Sequence, residues 1–343
     1  MRKIILNLHL FGALIGGIFL IILGGTGGIL VFQNDLDRLL NSGLFTAPGD
    51  GPVLQLDAIQ QSVAKSDPEL KPYRFIFPDG PSRPFIAVAG STQIFINSHT
   101  GAIIGKRQMP SPLQLIRQLH TSLLLGDTGR PIVQAATWLS LFLIVSGIYL
   151  WWPLRRTGTG RGLSFYLHLT FGIYFAAFLL VLTLTGLVLA YDDTISPLVF
   201  SATHSTPPIW NAQSTVIEGA TPIKAIDAVR IAQDRLPGAK VYALNLPGKP
   251  DGCFRVTMKY RDDVEDEGSS WVLIDRYSGA VLFAQDAHAS SPGTRIQMAN
   301  GTLHTGAIFG LPSKVIMSLS SFVLVAQTIT GYLIWWRKLR KPA

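Results

Sequence analysis

Apolar residues fall into four long runs, each without a charged side chain over a length able to cross a bilayer, which takes about 20 residues of helix. The runs are Ile4 to Asn34, Pro131 to Leu154, Gly162 to Tyr191 and Val315 to Trp336. Between them lie two long polar segments, residues 35–130 and 192–314, where the pattern changes. Leu56 to Ser66 and Ile223 to Arg235 place apolar residues at helical spacing. Strand-like runs follow: Arg74 to Phe77, Phe85 to Ala89 and Gln93 to Asn97 in the first segment, and Val241 to Leu246, Phe254 to Tyr260 and Ser270 to Asp275 in the second. Asn97 to Gly101 and Asp275 to Gly279 read as hairpin turns closing on glycine. Ser201 to Ser214 reads as a linker.

The two halves of the chain repeat one another. His9 and the pair Thr26-Gly27 are matched, at one constant separation, by His168 and Thr185-Gly186. His120-Thr121, Gly126, Gly147 and Trp151-Trp152 are matched in the same way by His304-Thr305, Gly310, Gly331 and Trp335-Trp336. Each half is therefore a span, an outer domain and a second span. Both halves start on one side of the membrane and return to it, so the repeats are parallel, with an axis along the membrane normal that brings matched residues to one depth. The expected fold is an integral membrane α-helical bundle of four transmembrane helices in two parallel repeats, with two periplasmic α+β domains. Its boundaries are 4–34 for the first span, 35–110 for the first outer domain, 111–154 for an outer-side helix plus the second span, 162–191 for the third span, 192–292 for the second outer domain, and 293–336 for an outer-side helix plus the fourth span.

Composition agrees with that architecture. The 343 residues are 48% hydrophobic and 15% charged, with a net charge of +8. The excess of basic residues is a topology signal rather than a nucleic-acid surface, because it sits beside the spans. Arg2 and Lys3 precede the first span, Arg155, Arg156 and Arg161 fill the link between the second and third, and Arg337, Lys338, Arg340 and Lys341 follow the fourth. The positive-inside rule puts all three clusters, and both termini, in the cytoplasm. The first span is too long for a signal peptide and lacks a small-x-small cleavage site, so a retained anchor is expected. One cysteine, Cys253, excludes an intramolecular disulfide and any all-cysteine metal site. Gly24-Gly25-Thr26-Gly27-Gly28 lies inside a span and is no dinucleotide loop.

Four of the seven histidines, His9, His120, His168 and His304, belong to the repeat. Ionisable groups in or beside a span are costly and usually functional. Parallel symmetry sets His9 opposite His168 near the cytoplasmic side and His120 opposite His304 near the outer side. Two imidazoles without carboxylate or thiolate companions suit the axial positions of haem iron, since the porphyrin supplies the other four ligands. Two histidines underfill a tetrahedral zinc site, and copper is left open, though no methionine cluster accompanies the pairs. Gly12, Ala13, Gly16 and Gly17 share the face of His9 and would leave room for a flat ring; a helix-packing stripe is the plainer reading of the same residues. His120 shares an apolar face with Leu113, Ile116, Leu123 and Leu124.

These residues, together with the closing Gly-Tyr-Leu-Ile-Trp-Trp at 331–336 and the two outer domains, resemble the PepSY-associated transmembrane proteins of bacterial inner membranes. The similarity extends over nearly the whole chain. It implies PepSY-like outer domains and two non-covalent b-type haems, with axial ligand pairs His9/His168 and His120/His304. It also implies electron transfer from a quinol or a cytoplasmic reductase to a ferric siderophore or another Fe(III) chelate. Relatives with fused flavin and nicotinamide domains differ from this chain, whose cytoplasmic segments are too short to hold one. Two other readings stand beside it: a non-redox binding or protease-modulating membrane protein, and a metal or proton pathway through the histidines.

Overall fold

The computed structural model describes residues 1–154 and 162–340; Arg155, Arg156, Arg161 and Lys341 of the basic clusters lie outside the described residues. In chain order the elements are α1 (Arg2–Leu30), α2 (Gln33–Leu40), α3 (Leu56–Ser66), β1 (Arg74–Ile76), β2 (Phe85–Ala89), β3 (Thr92–Ile96), β4 (Ile103–Gln108), α4 (Pro112–Ser122), α5 (Arg130–Trp151), α6 (Leu163–Tyr174), α7 (Ala176–Ala190), α8 (Asp192–Ala202), α9 (Ala225–Arg235), β5 (Lys240–Asn245), β6 (Phe254–Lys259), β7 (Ser270–Ile274), β8 (Val281–Gln285), α10 (Pro292–Thr305) and α11 (Leu311–Leu339). They form two units, one of Met1–Gln33, Pro112–Val199 and Ile296–Ala343, the other of Asn34–Ser111 and Phe200–Arg295.

The first unit is a helical bundle. Arg2–Leu30, Gly126–Trp151 and Leu311–Leu339 are each long and apolar enough to span a membrane. The stretch expected as one helix, 162–191, is instead a bent pair, α6 and α7, turning by 64° at Phe175. The side chain of Gln327, on α11, lies 3.3 Å from where a Cβ of Gly172 would sit. α1 packs on α11, α5 and α4, while α11 also meets α6 and α7, and α5 meets α7.

The buried faces of this bundle are mostly small or polar, with Gly16, Gly17, Gly24, Thr26 and Gly28 beside Leu20 and Leu23 on α1, and Ser318, Ser320, Ser321 and Thr328 beside Met317 on α11. Ser318 Oγ donates to Gly28 O at 2.9 Å and Ser321 Oγ to Gly24 O at 3.0 Å. The large apolar side chains, among them Phe11, Ile15, Trp138, Phe142 and Phe322, face outward. A soluble bundle would do the reverse. In lipid, apolar surface gives helices no reason to associate, so close backbone approach and interhelical hydrogen bonds hold them. The chain is a multi-pass membrane protein.

The second unit is an open antiparallel sheet of eight strands in the order β4-β3-β2-β1-β5-β6-β7-β8. The sequence suggests two separate α+β domains; the structure joins them edge to edge, with Arg74 opposite Asn245 and Ile76 opposite Ala243. Alternation sends Phe75, Leu244, Val256 and Val272 to one face, where they meet Ile59 and Val63 of α3 and Ala228 and Val229 of α9. Each such apolar side chain contributes about 1.5–3 kcal/mol on burial. The opposite face carries Arg74, Asn245, Arg255 and Trp271, from the same strands in the alternate register. The two β-turns are built alike. Asn97 Oδ1 accepts from the amides of His99 and Thr100 at 2.9 and 3.1 Å. Asp275 Oδ1 accepts from those of Tyr277 and Ser278 at 2.9 and 2.8 Å. Both turns close on a glycine with positive φ, +74° at Gly101 and +72° at Gly279, a conformation open to glycine at no steric cost.

Candidate functional site: two pairs of membrane histidines

All four repeated histidines lie in the helical unit, and the three without a histidine twin, His99, His204 and His288, lie in the other. The rings of His9 on α1 and His168 on α6 stand 6.5 Å apart, centroid to centroid. Those of His120 on α4 and His304 on α10 stand 6.4 Å apart. Two imidazoles sharing one metal through Nε2 need roughly 6.3 Å, from two metal–nitrogen bonds of about 2 Å and a ring radius on each side. Both pairs therefore have the separation that a shared iron requires. All four rings are half-buried.

A hydroxyl on a neighbouring helix holds the other nitrogen of every ring. His9 Nδ1 lies 2.8 Å from Ser146 Oγ, His168 Nδ1 3.0 Å from Thr330 Oγ1, His120 Nδ1 2.9 Å from Thr26 Oγ1, and His304 Nδ1 2.9 Å from Thr185 Oγ1. Proton counting favours one direction for these bonds. Each hydroxyl has one hydrogen and donates it along its own helix: Thr26 to Ile22 O at 2.6 Å, Thr185 to Val181 O at 2.6 Å, Thr330 to Ala326 O at 2.7 Å and Ser146 to Leu143 O at 3.2 Å. A hydroxyl that donates in this way accepts from the histidine, which puts the proton on Nδ1; for Ser146, whose backbone contact is the longest of the four, the geometry favours this direction least. His168 Nδ1 also lies 3.1 Å from Gln327 O, an atom that can only accept. With Nδ1 protonated, Nε2 keeps its lone pair, the state that binds a metal.

A glycine follows each of these hydroxyl residues and lies against the same ring. A Cβ on Gly27 would sit 3.1 Å from His120 Cε1, on Gly186 3.2 Å from His304 Cε1, and on Gly147 and Gly331 3.5 Å from Cε1 of His9 and His168. One unit thus recurs four times: Ser/Thr-Gly on one helix, histidine on the next. In the sequence Thr26-Gly27 and Thr185-Gly186 stand out only as repeat markers, and Ser146 and Thr330 carry no mark of this role. Their shared signal is a hydroxyl residue immediately before a glycine inside an apolar span.

Other expectations about the surroundings change. The small-residue face of His9 is filled by neighbouring helices: Gly12 and Gly16 meet Leu139 of α5, and Gly17 meets Tyr332 and Thr328 of α11. That stripe serves helix packing rather than leaving space for a ring. Phe171 and Phe175 pack edge to face on one another at 6.4 Å. α4 stops at Ser122, so Leu123 and Leu124 do not continue the apolar helical face of His120; both take left-handed φ, 53° and 62°. Such conformations cost roughly 1–3 kcal/mol each for non-glycine residues. The second repeat makes its corresponding turn with Gly306, at φ +73°. Among the described residues no group of three or more His, Cys, Asp or Glu comes together, so neither pair has the further ligands that a tetrahedral zinc site would need.

Residues 6–338 match a family described as PepSY-associated TM region. No curated protein matches the chain.

Proposed function

The chain belongs to the PepSY-associated TM family, and on that premise we propose that it is a di-haem b oxidoreductase of the bacterial inner membrane, passing electrons to a periplasmic Fe(III)-siderophore-like acceptor. The observation that carries this reading is the repeated geometry of the histidines: two ring pairs at 6.5 and 6.4 Å, each ring with Nδ1 tied to a hydroxyl and Nε2 left as the ligand nitrogen. His9 and His168 would hold one haem, His120 and His304 the other. Bound there, the haems supply one-electron exchange at iron, with potentials set by axial ligation and a low-dielectric setting.

The chain's own residues do the remaining work. Ser146, Thr330, Thr26 and Thr185 select the ligating tautomer before anything binds, so no proton has to move at ligation. The glycine after each hydroxyl admits the imidazole edge close to the helix backbone. His9 and Thr26 lie on one straight helix, and 1.5 Å of rise per residue puts them roughly 25 Å apart along it. The two histidine pairs would therefore sit near opposite faces of a hydrocarbon core about 30 Å thick. Arg2, Lys3, Arg337, Lys338 and Arg340 flank the end nearer His9, which supports a cytoplasmic location for that end and both termini. The His120/His304 pair then lies on the periplasmic side. Electrons would enter at the His9/His168 end, from a quinol or a cytoplasmic reductase. Reducing the acceptor metal to Fe(II) weakens its hold on hard oxygen ligands and frees it from the chelate.

Absorption spectra of the purified protein, oxidised and dithionite-reduced with haem counted per chain, test the proposal. Two b-type haems per chain are expected. A colourless protein, or b-type bands unchanged when His120 and His304 are both replaced by Ala, would overturn it and favour the non-redox reading.

A further inference from the structure

The face of the sheet turned away from α3 and α9 holds an arginine with no carboxylate in ion-pair range among the described residues, Glu267 acting on it only from farther off. Arg74, Asn245 and Arg255 stand in one row across β1, β5 and β6, so the two arginine Cα atoms are separated by two strand spacings, about 10 Å. Beside Arg255 the indole of Trp210 stacks on that of Trp271, centroids 4.2 Å apart and planes 18° from parallel. Trp271 Nε1 donates to Ile209 O at 2.9 Å, which pins the segment carrying Trp210 to the sheet. The Arg255 guanidinium lies 5.0 and 5.1 Å from the two ring centroids. Trp271 is buried, whereas Trp210 is 53% exposed.

Other stacked arginines in this unit show what Arg255 lacks. Arg107 lies over Phe45 and Phe95 and is also gripped by Asp37, at 2.6 and 3.0 Å, and by Gln93. Arg276 lies over Tyr277 and donates to Lys249 O at 2.7 Å, so its guanidinium has an acceptor even though its Nε, like that of Arg255, is buried without one. Arg255 has no carboxylate partner among the described residues, and its Nε is buried without an acceptor. Burial first, and then the like charge of Arg74, push its pKa down, as expected for a cation that would gain from an incoming anion. Arg74 has only Glu267, at 3.2 Å, an exposed carboxylate on a surface loop, and its own Nε is also buried without a partner.

We propose that Arg255, Arg74 and the exposed indole of Trp210 form a binding site for an oxyanion carried on a flat ring, an aromatic carboxylate being the simplest example. The guanidinium of Arg255 takes the anion through charge-assisted hydrogen bonds, and Trp210 offers its open surface to the ring. Glu267 occupies Arg74 while the site is empty and competes with the ligand for it. The site uses no histidine and is independent of whether haem is bound.

Equilibrium dialysis of labelled benzoate against the full-length protein in detergent tests this. Saturable binding of one benzoate per chain is expected, with Arg255→Gln weakening it tenfold or more and acetate or benzamide competing at least tenfold less well than unlabelled benzoate. Glu267→Gln removes the competing carboxylate and should tighten binding severalfold, a gain that a misfolded variant cannot produce. No saturable binding, equal competition by benzamide, equal affinity in Arg255→Gln, or no gain in Glu267→Gln would each overturn the proposal. Because the readout needs no haem, a colourless preparation that binds benzoate would sink the redox reading and leave this site standing.

Discussion

Replacing Thr26 by Val tests the hydroxyl that holds His120. The side chain is buried, 8% exposed, and Val keeps its shape while deleting the oxygen 2.9 Å from His120 Nδ1. The Nδ1–H is then left without an acceptor, at a cost of about 1–3 kcal/mol. At about 1.4 kcal/mol per decade this is a factor of roughly 5 to 150 in affinity, in line with the roughly 10–100-fold typical of lost outer-shell partners. The ring can avoid that cost by moving its proton to Nε2, which removes the ligand lone pair and also lowers affinity. Losing the Nδ1–H···O bond makes the imidazole a weaker donor and favours Fe(II), so the midpoint potential should rise by about 59 mV for each tenfold change in relative Fe(III) binding. Haem loss to an excess of a scavenging apoprotein, together with a redox titration of the b-type band, measures both effects. Thr185→Val should behave alike, because His304 is held at the same distances, and Thr26→Ser should restore the wild-type values. If Thr26→Val keeps wild-type haem retention and potential while His120→Ala loses the haem, the tautomer argument is refuted.

Three further outcomes are expected. His9→Ala or His168→Ala should remove one of two haems per chain and leave the other's spectrum intact, with the complementary loss in His120→Ala or His304→Ala; loss of both haems from any single change would contradict independent pairs. Gly27→Ala should disturb the His120 site, because its Cβ would lie 3.1 Å from the ring and 2.8 Å from Ser321 Oγ, whereas Gly147→Ala makes an ordinary contact of 3.5 Å with His9 and should be tolerated; haem per chain in the two variants decides. In the sheet, burial alone would raise the pKa of Asp275, but hydrogen bonds from Ser278, Tyr277 and Thr215 outweigh it and hold the carboxyl below its ordinary 3.8. A depressed carboxylate pKa stabilises the fold fully above the unfolded value and loses that contribution as pH falls through the folded one. Thermal melts of the wild type between about pH 3 and pH 7 should therefore fall at the acid end, while Asp275→Asn should melt lower at neutral pH and respond less to acid; equal acid sensitivity would count against the turn.

Much of the helical unit was legible because lipid leaves a coarse signal: long uncharged runs and basic flanks need no knowledge of partners. Duplication made the histidines legible too, since His9 and His168, and likewise His120 and His304, are matched residues, and the structure sets each pair within 6.5 Å. What could not be read depends on neighbours. Ser146 and Thr330 look like ordinary polar residues of apolar helices until another helix brings an imidazole to them. The bend at Phe175 falls within an unbroken apolar run that gives no local sign of it. β4 and β8 escaped notice because an edge strand buries too little to alternate cleanly: Lys106 and Arg107 break the apolar pattern of β4, and β8 exposes Val281 and Leu282. The seam between β1 and β5 leaves no local mark, since two strands that each look complete within their own segment pair only through the tertiary fold.

That seam has a consequence for biosynthesis. β1 is three residues long and lies at the middle of the sheet, with β2 on one side and β5 on the other. When the ribosome has finished β4, the inner margin of the nascent half-sheet is still bare, and its complement, Ala243 to Asn245, has yet to be made. α5, α6 and α7 must be translated and placed in the bilayer first. At about 5–20 residues per second the wait is on the order of 10 s, long enough for an uncovered strand to pair with the wrong neighbour. Membrane insertion and sheet closure are thereby coupled in time, and a delay in the one prolongs the hazard in the other.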